Sequence, residues 1–181
     1  MRRSEETNRF KVFPYRAERR DDDVNNGGLD LIGNPSDIDK IHEAAGFPGL
    51  RGFIAMMNSP ASSLMTLGCA HGEMDGLIYG YVDISFRDIN VGQNETFVAG
   101  IDEQLKTWVE RTYQRGREMS EWLRPLLHWD YSAFRYFGTE PRLMISMTYR
   151  TRTQEDAGHL FGVLHRFFEE GLTFPNTSEL G

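Results

Sequence analysis

The chain has 181 residues, of which 39% are hydrophobic, 26% charged and 12% aromatic, a globular composition with a generous aromatic share. Its 27 acidic residues against 20 Lys and Arg give a net charge of -7, which excludes phosphate-backbone binding as the default role. A chain of this length buries roughly two-thirds or more of its unfolded surface in one core, and its single cysteine leaves no intrachain disulfide to form.

These bounds predict one α+β domain over residues 10–174, with flexible tails at 1–9 and 175–181. Met1 to Asn8 carries charges but no apolar segment of a secretory signal, and no later run approaches the roughly 18 apolar residues of a spanning helix. A soluble, cytoplasmic protein is the expectation, with no membrane partner. The glycosylation patterns at Asn94-Glu95-Thr96 and Asn176-Thr177-Ser178 then carry no meaning.

In chain order, Phe10 to Arg16 predicts a first strand, confined to a sheet edge by Pro14. Arg19 to Asp23 followed by Asn25-Asn26-Gly27-Gly28 lacks periodicity and reads as a solvated loop. Asn34 is a cap for a helix with Pro35 at its first position, Asp37 in its first turn and Gly46 at its end, burying Ile38, Ile41 and Ala45. Arg51 to Met57 reads as a strand that Asn58-Ser59-Pro60 turns into the next one.

The strongest local signal is Leu64 to Arg87. Asp75-Gly76 supplies the two positive φ values of a two-residue hairpin turn, which pairs Met74 with Leu77. Outward from it, His71 faces Gly80, Cys69 faces Val82, Leu67 faces Ile84 and Met65 faces Phe86 on one apolar side. The other side sets the small residues Gly68, Ala70 and Gly72 against Asp83, Tyr81 and Tyr79, and Thr66 against Ser85. With the Arg51 segment this makes a three-stranded antiparallel meander.

From Gly100 the period becomes helical, with Ile101, Leu105, Trp108, Val109 and Thr112 on one stripe and Met119, Trp122 and Leu123 on a second, broken at Gly116 and closed by Pro125. Leu143, Ile145, Met147 and Tyr149 alternate with polar residues as a strand buried on one face. Thr153 and Asp156 open a last helix with Ala157, Leu160, Phe161, Leu164, Phe167 and Phe168 inward and Gly171 as its stop. The fold class is therefore α+β: an antiparallel sheet, the meander plus a later strand, packed on one face by about three to four helices.

Three groups carry candidate chemistry. His71, Glu73 and Asp75 point the same way near the hairpin tip, where an imidazole and two carboxylates suit a divalent metal. The expectation is nevertheless that no metal or other cofactor is held: Asp75 serves the turn and His71 faces the apolar side, with no spacing that selects a second ligand from His42, His128, His159 or His165. The second group is His128-Trp129-Asp130 with Tyr131, Phe134, Arg135, Tyr136 and Phe137. It serves as core, as a pocket in which His128 and Asp130 do acid-base work while Arg135 holds an anion, or as a contact surface built on Trp129, Tyr131 and Tyr136. The third, Gly158 and Gly162 four apart on the last helix, suits close packing of another helix, either in this chain or in a homodimer.

No Gly-x-Ser-x-Gly elbow or phosphate loop occurs, and Cys69 beside His71 on a flat strand has no oxyanion hole. The Arg111, Arg115 and Arg117 group is balanced by Glu110, Glu118 and Glu121. Two readings remain. One is a small acidic protein-binding module of the inhibitor, immunity or regulatory kind, whose partner surface includes Tyr79, Tyr81 and Asp83. The other is a small-molecule-binding or hydrolytic enzyme with a pocket between the sheet and residues 128–137. A protein partner is expected ahead of a small molecule.

Overall fold

Asp75 at φ 55° and Gly76 at φ 70° form the hairpin turn that the sequence announces, and they join β5 (Leu64–Met74) to β6 (Leu77–Phe86). The computed structural model that contains this hairpin describes residues 1–4, 11–20, 23–25 and 27–175. From Met74↔Leu77 to Gly68↔Asp83 the register is the expected one. A bulge between Thr66 and Gly68 then shifts it, so that Thr66 meets Ile84, Met65 meets Ser85 and Leu64 meets Phe86. One extra residue on one strand exchanges the faces beyond it, because side chains alternate with period two. Met65 and Leu67 consequently leave the main core and join a second cluster with Phe13, Phe134 and Met144.

β6 pairs on its other side with β8 (Arg142–Thr151), and β8 pairs with β7 (Leu127–Tyr136), all antiparallel. The edge beyond β7 carries two short strands, β1 (Arg2–Arg3) and β2 (Lys11–Phe13), both parallel to it. The sheet order is β1-β7-β8-β6-β5 with β2 also beside β7, so the sheet is mixed rather than purely antiparallel. β2 sits at the edge, as Pro14 demands; Phe10 lies outside the described residues, as do 5–9 and 176–181 of the expected tails. Arg2 and Arg3, also within the expected N-terminal tail, are instead paired in β1.

The meander is corrected at its first strand. Residues 51–57 belong to α2 (Pro48–Met57), which buries Leu50, Phe53, Ile54 and Met57 at helical spacing behind Pro48, a residue suited to the first turn. The expected loop at 19–28 contains a small hairpin of β3 (Glu18–Arg20) and β4 (Asp23–Asn25), with residues 21, 22 and 26 outside the described set. The helix expected from Asn34 to Gly46 is a 3-10 turn over Pro35–Lys40 followed by the one-turn α1 (His42–Ala45). Asn34 makes no side-chain cap there, and Ala44 rather than Ala45 is the buried alanine.

Residues 88–99, which show no clear period in sequence, form α3 (Ile89–Gln93) and α4 (Glu95–Ala99), capped by Asp88 and Asn94. α5 (Ile101–Thr112) and α6 (Gly116–Leu123) break where expected. A Cβ on Gly116 would run into the Glu110 backbone, which is why the tight corner needs glycine. α7 (Gln154–Arg166) begins at Thr153, whose hydroxyl oxygen accepts from the Asp156 amide at 3.0 Å, and it ends in a wide turn over Phe167–Gly171.

All the longer helices pack on one face of the sheet, in a single apolar cluster that includes Phe53, Ile84, Val109, Met147 and Phe161. Among the described residues no helix is long and apolar enough to cross a membrane. Gly158 and Gly162 have open space where a Cβ would stand, so no helix among the described residues packs on them. Changing both to Ala is expected to stabilise the chain by about 1 kcal/mol or slightly more, read from the urea midpoint, because helix propensity rises without a clash. A loss of stability would instead reveal a second copy packed against that stripe.

Candidate functional site: the helix-free face of the sheet

Among the described residues, the face of the sheet opposite the helices is covered by the Phe13 cluster and by Tyr15 at one end. The rows of the remaining surface follow from the register. Gly72, Tyr79 and Arg150 form one row; Ala70, Tyr81, Thr148 and His128 the next; Gly68, Asp83, Ser146 and Asp130 a third. Tyr79 and Tyr81 are 41% and 38% exposed, which is unusual for rings in the middle of a sheet and follows from the small residues beside them on β5. Behind the rings, Ser146 Oγ donates to Asp83 Oδ1 at 2.5 Å and ties β8 to β6.

Tyr15 closes one end of this surface. A Cβ on Gly68 would stand 2.9 Å from its hydroxyl oxygen, so the phenol occupies the space that glycine leaves. Burial, reinforced by the nearby Tyr81, Cys69, Asp83 and Glu43, pushes the Tyr15 hydroxyl well above the usual phenol range, so it remains a neutral hydrogen-bonding group. Cys69 lies within reach of the same field. Burial first, then Glu43 and Asp83, push its thiol up to about 12, which leaves it a poor nucleophile.

The predicted site residues separate. Tyr79, Tyr81 and Asp83 share the open face. So do His128 and Asp130, with Nε2 and Oδ2 3.0 Å apart on the exposed surface of β7. Trp129 and Tyr131 point the other way into the helix-side core, each 8% exposed, and the Tyr131 hydroxyl donates to Glu95 at 3.0 Å. Phe134 is buried in the second cluster, and Tyr136 stacks on Phe13 at 5.3 Å. Arg135 donates to the Thr139 carbonyl and does not converge with His128. A groove of about 710 Å³ does open on the other layer, between α5, α6 and the start of β7, floored by Leu105, Leu123 and Trp129; neither His128 nor Arg135 lines it.

His71 is turned inward. Its Nδ1 lies 2.7 Å from the Tyr149 hydroxyl and its ring stacks on Phe47 at 4.4 Å, while Glu73 and Asp75 stay at the exposed tip. Among the described residues no three His, Cys, Asp or Glu side chains gather in a way that could hold a metal ion. The Tyr149 contact was not readable from spacing. Its signal was Gly80, which lies between His71 and Tyr149 in one row across three strands and lets the phenol pass.

Burial lowers the His71 pKa below its ordinary 6.5. The neutral ring therefore stabilises the fold fully above about pH 6.5, and that contribution is lost as pH falls below this value, because the unfolded ring takes up a proton more readily. Urea midpoints measured between pH 7.5 and pH 5 are expected to fall less steeply in His71→Gln than in the parent. Equal slopes would contradict a half-buried, neutral ring.

A scan against protein-family models, a search of curated proteins and a search of solved structures each returned no match.

Proposed function

We propose that this chain is a non-catalytic binding module, of the inhibitor, immunity or regulatory kind, that recognises a partner protein through the helix-free face of its sheet. The observation that carries the reading is the exposure of Tyr79 and Tyr81 side by side on a rigid strand, with Asp83 next to them. Large amphipathic rings held by a sheet lose little entropy on docking and are enriched at the energetic centres of interfaces. The net charge of -7 supports a partner with a basic surface, which would be steered toward the site over long range. A half-buried, high-pKa Cys69 as the lone cysteine fits a reducing compartment, and the proposal places the protein in the cytoplasm.

The alternative, an enzyme using a His and carboxylate pair, is supported by the His128–Asp130 contact alone. The His128 side chain is 66% exposed, an environment that does not exclude water.

The test is affinity purification of the full chain from its native extract beside the Tyr79→Ser/Tyr81→Ser double variant, followed by titration of the recovered partner. Loss of about tenfold in affinity per ring is expected, equivalent to about 1.4 kcal/mol each. A stoichiometric partner that binds the double variant equally well, or no such partner at all, would count against the proposal.

A further inference from the structure

β5 ends the sheet, and its outer edge is finished on one half only. On the Leu64–Gly68 half, Asn58 Oδ1 accepts from the Thr66 amide at 3.1 Å and Asn58 Nδ2 donates to Thr66 Oγ1 at 2.6 Å, and Tyr15 covers Gly68 on the open face rather than at the edge. From Cys69 to Met74 the strand passes from half-buried to exposed, and among the described residues no strand pairs with it beyond β6, while α1 lies close to β5 and Phe47 stacks on His71.

The turn fixes which backbone groups face outward there. Met74↔Leu77 closes a two-residue turn and is a hydrogen-bonded pair, so Gly72 and Ala70 direct their amides and carbonyls to β6. Cys69, His71 and Glu73 therefore direct theirs away from the sheet, each with one donor and one acceptor at strand spacing. No hydrogen bond of these outward backbone groups occurs among the described residues. Natural edges are usually blunted by Lys, Pro or another charge; Cys69–Met74 has neither Lys nor Pro, and its one charge is Glu73, at the exposed end beside the turn.

The charged side chains on this part of β5 and its turn are acidic, while Arg150 stands two strands in, beyond Tyr79. Glu73 and Asp75 are exposed and form no ion pair among the described residues, and Glu43 and Asp83 lie near enough to influence Cys69. On the open face, Ala70 and Gly72 leave room beside Tyr79, so a neighbouring strand would meet the ring rather than a wall of side chains.

Resting on the proposed binding role, we infer that the Cys69–Met74 edge of β5 receives an extended, basic segment of the partner protein as an added strand. Main-chain hydrogen bonds to Cys69, His71 and Glu73 give the docking its register, and Lys or Arg side chains set against Glu73 and Asp75 select the sign of the segment. The segment continues the sheet past β5 and carries its other side chains to the Tyr79 row.

The probe is a synthetic peptide of about eight residues alternating Lys and Val, long enough for one strand, titrated into the isotopically labelled full chain. Expected are saturable binding, slowed hydrogen exchange at the Cys69, His71 and Glu73 amides, and loss of binding when the peptide amides facing β5 are N-methylated. Glu73→Gln/Asp75→Asn is expected to weaken binding about tenfold; Asn tolerates the left-handed backbone at position 75, so the turn survives. Binding that survives N-methylation with shifts confined to Tyr79 and Tyr81 overturns the added strand while leaving the open-face proposal intact. Absence of saturable binding overturns the strand as well, and protection of the same amides on raising protein concentration without peptide would assign the edge to a second copy instead.

Discussion

Gly80→Ala is expected to destabilise the chain by about 3 kcal/mol or more, the upper end of what an inserted methyl group costs in a packed interior. A Cβ at this position would enter van der Waals space of the Ala70 carbonyl oxygen and stand 2.5 Å from the Tyr149 hydroxyl and 2.7 Å from its Cζ. Neither neighbour has room to give. The carbonyl belongs to the β5–β6 ladder, and the Tyr149 ring is 2% exposed with Phe161 packed edge-on against it at 5.1 Å. Tyr149→Phe removes only the hydroxyl partner of His71 and is expected to cost about 1–2 kcal/mol, so the glycine variant should fall well below it in urea midpoint. A cost below 1 kcal/mol for Gly80→Ala would contradict the crossing of Tyr149 past β6.

Asn58→Ala is the second large effect, expected at about 2–4 kcal/mol. Asn58 is 7% exposed and follows the last residue of α2, where its Nδ2 donates to the Ile54 carbonyl at 2.8 Å and to Thr66 Oγ1, and its Oδ1 accepts from the Thr66 amide. Its truncation leaves a buried amide and a buried hydroxyl unpaired, each costing about 1–3 kcal/mol, and detaches the helix end from the edge strand. Thr66→Val removes one of these bonds and keeps the amide pair, so a cost nearer 1 kcal/mol is expected from it. If the two variants were equally stable, the Thr66 amide would have found another partner.

These two residues show what sequence carries and what it does not. Asp75-Gly76 announced the hairpin because the turn chemistry is local, and the alternation at Leu143 to Tyr149 announced β8 for the same reason. The bulge at Leu67-Gly68 was invisible, since one extra residue leaves a sequence pattern intact on either side while shifting its pairing. α2 was misread because Arg51 to Met57 is apolar without a clean period of its own; the helical spacing appears only when Pro48 and Leu50 are included. β7 was legible as a cluster of rings and not as a strand, because Trp129 and Tyr131 serve the helix-side core while Phe134 serves the second cluster. Of the site, the pairing of Tyr79, Tyr81 and Asp83 opposite small residues was readable from the turn. That this face lacks helices was not, because nothing local in a strand records which side the helices take.

Hydroxyl-radical footprinting of the purified complex tests most directly whether a partner docks on that face. Tyr79, Tyr81 and Met74, the last 60% exposed at the hairpin tip, are expected to lose reactivity on complex formation, while Tyr113 and Trp122 on the helix layer keep theirs. Protection of Tyr113 and Trp122 with Tyr79 and Tyr81 still fully reactive would contradict it.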